Sequence, residues 1–347
     1  MFSGKYFLLG LGCRRLWIAA ALGLVCGALA GTATAAPDPK KVVGPKKCGQ
    51  CHESAVKAWK ASKHAKGFRS LTKNPRRKVS RKIAKAMNVR LIKRGFCAGC
   101  HYTSIPRGNR TKAIAGVSCE SCHGAAVDWV DVHQKFGDDD NIAKKDETPG
   151  HREMRLAKIK AAGMIRPVEI YRLASGCLGC HTVPNEKLVN VGSHPPGSDF
   201  EFVAWSQGEV LHNFVASEGK RNAEASVEVK RVLFLVGQAV KLEYNLRGLA
   251  KAGADGVYAQ RMAARAAAAI ESLKRAAGLV KVTEIDAILA AVSAVELKPN
   301  HSDALLAAAE KVAEGAKKLS DPSNGGAWAA LDPMIPQANA YKGTPAP

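Results

Sequence analysis

Aromatic residues are scarce in this 347-residue chain, at 6%, and acids are few: 30 Asp or Glu stand against 52 Lys or Arg. A chain of this length has room for two domains, but so few aromatic rings leave it short of the large side chains that fill a conventional core. After residue 35 no apolar run is long enough to cross a bilayer. Cysteine is absent from every ordinary position. Of the ten cysteines, Cys13 and Cys26 lie within the first 35 residues, and the other eight all fall in four copies of one short frame. No thiol is left over as an isolated nucleophile or an unpaired half of a disulfide.

The first 35 residues read as a secretory signal. Lys5, Arg14 and Arg15 form a basic n-region, LWIAAALGLVCGALAG is the apolar stretch, and Ala33-Thr34-Ala35 is a small-residue cleavage site. Cleavage is expected before Ala36; the alternative is an uncleaved membrane anchor. Export places the chain in the periplasm, where paired cysteines would ordinarily suggest disulfides.

The repeated frame is CxxCH: CGQCH from Cys48, CAGCH from Cys97, CESCH from Cys119 and CLGCH from Cys177. This is the attachment signature of c-type haem. Cysteines at i and i+3 lie on one face of a helical turn, so both sulfurs reach the vinyl edge of a macrocycle. The histidine at i+4 then lies under the ring as an iron ligand. Zinc ribbons use CxxC pairs without a histidine after each, and a thioredoxin-like site needs one pair rather than four. The expectation is four covalent haems, on Cys48 and Cys51 with His52, Cys97 and Cys100 with His101, Cys119 and Cys122 with His123, and Cys177 and Cys180 with His181. Four large apolar rings would also supply the core that the aromatics do not.

Each iron has a second axial position. Six histidines remain. His64, His133, His212 and His194 are the candidate distal ligands; His151 lies in a polar loop and His301 far along the chain. Met87, Met154 and Met164 read as packing residues.

Taken together, KKCGQCHESAVKAWKASKHAKGF (46–68), FCAGCH (96–101), GVSCESCHG (116–124) with the later DVH ending at His133, and GCLGCH (176–181) resemble the tetrahaem cytochrome c-554 family. The resemblance covers roughly residues 46 to 213. It implies a periplasmic electron carrier in which three haems have two histidine ligands and the haem of the second motif has an open face. On that pattern His64 and His133 are distal ligands, His133 serving the first haem, and the open iron is the one bound by His101. After His181 the pattern departs from the family. His194 and His212 both fall where one distal ligand is expected, and if both bind, the second haem is closed.

Charge is distributed unevenly. Residues 40 to 112 hold 22 Lys or Arg and a single acid, Glu53. Within them Asn74-Pro75 reads as a helix start. Val79, Ile83, Met87 and Leu91 form an apolar stripe, Lys78, Arg81, Lys82, Lys85, Arg90 and Lys93 fill the other faces, and Gly95 ends the helix. The stripe is expected on haem or core. The bases suit an acidic docking surface on a redox partner protein; a plain solvated surface and attachment to anionic lipid headgroups are the alternatives. Export argues against nucleic acid.

From about Ala223 the composition turns to Ala, Leu, Val, Lys and Glu, and four helices are readable: 226–251, 255–277, one capped at Thr283, and 302–319. Short connections favour antiparallel packing. The expected class is therefore mainly α, with a signal peptide at 1–35, a tetrahaem cytochrome c domain of short helices and coil at 36–217, a bundle-like helical domain at 218–320 and a flexible tail at 321–347. The helical domain serves either to dimerise the protein or to present the haems to a partner. The leading function is electron transfer through four haems in respiration. The alternative is a multihaem oxidoreductase acting on a small nitrogen or sulfur compound at an open iron, although no CxxCK variant is present.

Overall fold

The computed structural model describes Met1, residues 37–139 and residues 141–347; the expected signal segment lies outside the described residues. Pro45 sets the first turn of α1 (Pro45–Cys48), which ends on the first cysteine of the first motif; a turn through the rest of the motif leads to α2 (Glu53–Ala61). Ser62 caps α3 (Lys63–Ser70), its hydroxyl accepting from the Ala65 amide at 3.3 Å. After α4 (Arg76–Ala86), the second motif occupies α5 (Phe96–His101). A hairpin follows, β1 (Thr103–Arg107) antiparallel to β2 (Arg110–Ala115), turning at Gly108 with φ +59°. The third motif is α6 (Cys119–His123), and the fourth closes α8 (Ile170–His181); α7 (Pro149–Ala161) lies between them, with Pro149 at its first turn and Thr148 as its cap.

The basic helix departs from the sequence expectation at both ends. Pro75 is its N-cap rather than its first residue, and it stops at Ala86, because Asn88 takes φ +52° and breaks the turn before Gly95 is reached. The stripe is rotated as well. Ser80 and Ala84 face inward, with the Ser80 hydroxyl donating to the Leu71 carbonyl at 2.6 Å, while Val79 is 59% and Leu91 53% exposed. Met154, expected to pack, is also exposed.

After the short α9 (Glu186–Asn190) and α10 (Phe202–Ser206), the expected helices appear as α11 (Val227–Ala250), α12 (Val257–Leu279), α13 (Thr283–Val292) and α14 (Ser302–Leu319), except that Thr283 is the first residue of α13 and not its cap, a position taken by Val282 without a side-chain bond. Leu, Val, Phe and Ala recur on every side of α11, so it is buried all round. Accordingly α12, α14 and α8 all pack against it. The apolar core continues across residue 217: Ile170, Ala174 and Leu178, one helical face of α8, share it with Phe202, Val203 and the later helices. A smaller cluster of Ala126, Trp129 and Ile159, joined by Val43 and Met164, lies apart.

Residues 321–347, read from composition as a flexible tail, instead fold back onto α11. A 3-10 segment, Pro322–Met334, buries Trp328 and Leu331, and Ile335 follows. Arg231 donates to both Asp332 oxygens at 2.6 and 2.8 Å and to the Gly325 carbonyl at 3.0 Å. Pro and Gly were misleading here: a Cβ at Gly325 would collide with the Glu228 backbone, so glycine permits the close approach. Among the described residues no helix is long and apolar enough to cross a membrane.

Candidate haem centres

Three motifs fold as a turn of helix, in α5, α6 and the last turn of α8, and the first, starting on the final residue of α1, is a turn closed by the His52 amide on the Cys48 carbonyl at 3.0 Å; the neighbouring segments supply the stops. Tyr102 turns extended after the second motif, and Gly124, at φ +84°, ends the third. The eight motif cysteines are free thiols. In each motif both thiols precede a histidine, and each of those histidines faces another imidazole. Ring centroids are 6.2 Å apart for His52 and His133, 6.2 Å for His101 and His194, 5.9 Å for His123 and His212, and 6.2 Å for His181 and His64. Two imidazoles on opposite sides of one metal, each bonded through Nε2 at about 2.0–2.1 Å, would hold their centroids roughly 6 Å apart. The four pairs use His64, His133, His194 and His212 once each. His151 faces no motif histidine; its Nδ1 lies 2.9 Å from the Glu147 carboxylate.

Where the resemblance implied an open face above His101, the structure sets His194. That side chain comes from the 191–199 loop beyond the fourth motif, not from the segment around the second.

The hydrogen bonds of the rings suit ligation through Nε2. Nδ1 of His123 lies 2.9 Å from the Ile165 carbonyl, that of His133 2.5 Å from Val130, that of His194 2.8 Å from Pro195 and that of His212 2.7 Å from Val210. A carbonyl only accepts, so Nδ1 carries the proton and the Nε2 lone pair is free for metal. Burial, with a smaller push from the facing ring, holds His101 and His181 down at about 4. His64, His123 and His133 are likewise lowered, chiefly by burial. These rings are neutral at pH 7, the form that binds iron.

Other features fit a haem and not a zinc site. Among the described residues no three His, Cys, Asp or Glu side chains converge as a protein-only metal cluster requires; a haem iron asks for two axial nitrogens. Trp129 packs on His133, Trp205 on His181 and Tyr102 on His101. The Trp129 and Trp205 indole N–H groups and the Tyr102 hydroxyl are buried without a hydrogen-bond partner among the described residues. Buried donors seldom go unpaired, and haem propionates are acceptors that would satisfy them.

The motifs also neighbour one another. The Cys48 thiol lies beside that of Cys119, a neighbour that pushes Cys48 up; Cys100 and Cys180 are likewise neighbours, which pushes Cys180 up and holds Cys100 at about 7. Burial raises Cys177, and Cys122 adds to it. In space the order is therefore first, third, fourth, second. As thioethers none of these sulfurs would titrate.

Three supporting residues escape sequence reasoning. Glu120, between the third motif's cysteines and only 1% exposed, accepts from the Val43 amide at 2.9 Å, Gly44 at 2.7 Å and Ala126 at 2.9 Å. It ties the loop before the first motif to the third. Arg155 donates to the His133 carbonyl at 2.9 Å while its guanidinium forks onto Glu147 at 2.6 and 2.7 Å. Arg265 of α12 is the third. An acid inside CESCH was a visible signal; the two arginines carried none.

Comparison with known proteins places the same segment. Residues 47–124 match the family described as Cytochrome c554 and c-prime. Over 127 residues the chain is 33% identical to the cytochrome c-554 of Nitrosomonas europaea, an alignment covering 34% of this chain and 53% of that protein. This chain thus spans about half the length of the curated relative it matches. No solved structure matches.

Proposed function

We propose that this chain, which belongs to the cytochrome c-554 family through its motif-bearing segment, is a periplasmic electron carrier with four covalent haems, each held between two histidines. The observation that carries this reading is the set of four facing imidazole pairs, each with a CxxC pair one turn before one of its rings. Bound haem supplies a one-electron couple at each site. The chain would do the rest: eight cysteines would anchor the rings, with His52, His101, His123 and His181 holding them from the motif side. His133, His194, His212 and His64 would hold them from the other, in that order. A haem held between each pair would leave no position for a substrate, which favours the carrier reading over a reductase of small nitrogen or sulfur compounds.

The order of the motifs supports a route from the first through the third and fourth to the second. The basic helix α4 lies at the second-motif end. Its C-cap, Met87, packs so closely on the loop before His194 that a Cβ on Gly192 would meet the Met87 sulfur at 3.1 Å. Lys78, Arg81, Lys82 and Lys85 of α4 are exposed. An acidic face on a redox partner docking there would bring its centre toward the second haem. The α11–α14 helices form a bundle-like scaffold behind the fourth motif.

Intact mass of the exported protein tests the proposal. Four haems are expected on the chain lacking its signal segment, resistant to acid-acetone extraction, with ferric spectra that are entirely low-spin. Three haems, extractable haem or a high-spin ferric signal would overturn it.

A further inference from the structure

The C-terminal helices touch the haem region at one place that bears on ligation. The segment from Thr182 to Ser198 leaves the fourth motif and carries His194 to its position opposite His101. The last turn of α8 holds both ends of that segment, with the Ser198 amide donating to the His181 carbonyl at 3.1 Å, and Met87 packs on its middle; its other anchors come from α11, α12 and the turn between them. The Gly253 amide donates to Glu186 at 2.9 Å, and the Tyr258 amide to Asn190 at 3.0 Å. Arg265 does more. Its guanidinium, on a residue 6% exposed, donates to the Pro196 carbonyl at 2.7 Å, to the Thr182 carbonyl at 3.3 Å and to the Asn245 side-chain oxygen at 2.9 Å. Asn245 is fully buried and is itself fixed by donating to the Lys241 carbonyl at 2.7 Å.

One planar cation therefore joins the residue after His181 to a residue two beyond His194. The fork of a guanidinium fixes direction as well as distance, and charge-assisted bonds to carbonyls are strong in a buried site. The loop is shaped to receive it. Gly197 has φ +97°, and a Cβ there would lie 2.7 Å from the His181 carbonyl and 2.8 Å from Arg265 Nη1. Without this side chain the Thr182 and Pro196 carbonyls would lose their guanidinium donor, and the turn would be closed only by the Ser198 amide on the His181 carbonyl at 3.1 Å and the Ser198 hydroxyl near the His181 ring at 3.2 Å.

Resting on the four-pair reading above, we infer that the C-terminal helices hold His194 on the second iron, with Arg265 as the positioning residue. The first three motifs lie within the segment 47–124 that matches the cytochrome c554 and c-prime family, but the helices that would keep the second site closed lie outside it. Their role is to make that haem a pure electron carrier.

The test compares the haem-loaded wild type with Arg265→Met and Arg265→Lys by electron paramagnetic resonance and by cyanide uptake. Wild type should bind no cyanide and show four low-spin haems. Arg265→Met should show one high-spin haem and bind one cyanide per chain; free imidazole should restore the low-spin signal. Arg265→Lys, which keeps the charge and part of the donor set, should lie between. His194→Ala should match Arg265→Met. A high-spin haem already present in wild type would defeat the four-pair reading itself. A low-spin wild type with an equally low-spin, cyanide-inert Arg265→Met would overturn this inference alone. If Arg265→Met does not mature, the partly exposed anchors serve instead: Glu186→Ala with Asn190→Ala should raise cyanide uptake above zero, and no uptake would overturn the inference.

Discussion

Replacing Glu120 tests how the first and third motifs are held together. Its Oε1 accepts from Val43 and Ala126 and its Oε2 from Gly44, all three from backbone amides in a site with almost no solvent. Hydrogen bonds to a charged group are worth about 1.5–3 kcal/mol, against about 0.5–1.5 kcal/mol for neutral ones. Glutamine can keep its oxygen toward Val43 and Ala126, but it then turns an N–H₂ toward the Gly44 N–H. One charged bond is lost and two are weakened to neutral ones, so Glu120→Gln should cost roughly 3–6 kcal/mol. Alanine removes all three acceptors and should cost more. For a chain of this size each kcal/mol moves Tm by about 2–4 °C, so the glutamine variant should melt roughly 6–24 °C lower. Differential scanning calorimetry, with urea unfolding as a check where melting is irreversible, measures both variants. Wild type, Glu120→Gln and Glu120→Ala melting together would refute the idea that this carboxylate tethers the two motifs.

Two further outcomes are expected. If the basic segment docks an acidic partner, the electron-transfer rate should fall steeply with salt across the range where the Debye length shrinks from about 30 to 3 Å, and Arg81→Glu with Lys82→Glu and Lys85→Glu should slow association while leaving haem spectra intact; indifference to both would favour a merely solvated face. For pH, the Arg155 guanidinium, and after it His151, holds the Glu147 carboxyl down at about 2 despite its burial. A carboxyl depressed in the folded state stabilises it above the ordinary value near 4.3, and that contribution disappears as pH falls toward 2. Glu147→Gln should therefore be less stable than wild type at pH 6 and flatten the loss between about pH 4.5 and 2 in acid unfolding curves; parallel curves would remove Glu147 from the account.

Local chemistry was the most legible part of the sequence. Four CxxCH frames name their own cysteines and motif histidines, because attachment and ligation use residues within one helical turn. The α11 start was readable at Ser226, whose side chain accepts from Val229. Pairing across space was not readable. His194 faces the second motif although it follows the fourth, and only the path of the chain around α12 brings it there. The stripe on α4 held only in part. Ile83 and Met87 are half-buried, but Val79 is exposed where Ser80 and Ala84 face inward, and Leu91 lies beyond the end of the helix, which Asn88 breaks early. The tail failed because Pro and Gly were read as composition, when Arg231 and the close contact at Gly325 give them fixed partners.

Electron transfer along the proposed row of haems would depend on the spacing between neighbours, and the chain ties each neighbouring pair of motifs by a separate device. Between the first and third motifs it is the Glu120 carboxylate on the Val43–Gly44 loop. Between the third and fourth it is the 163–165 turn. His123 bonds to both the N–H and the C=O of Ile165 at 2.9 Å, while Arg172 of α8 donates to the Met164 carbonyl at 3.1 Å and the Gly163 carbonyl at 3.4 Å. Gly124 lets that turn come close, since a Cβ there would strike the Gly163 carbonyl. Between the fourth and second it is Arg265, on Thr182 and Pro196. All three use a charged side chain or an imidazole against backbone, so the geometry does not rely on flexible side chains meeting each other. α8 unites them with the larger core: its inward face, Ile170, Ala174 and Leu178, packs in the same apolar core as α11, while its last turn carries Cys177, Cys180 and His181. The C-terminal half, which carries no CxxCH motif, would therefore act on the proposed row through this helix and this arginine, and the core runs without a break across the change in composition.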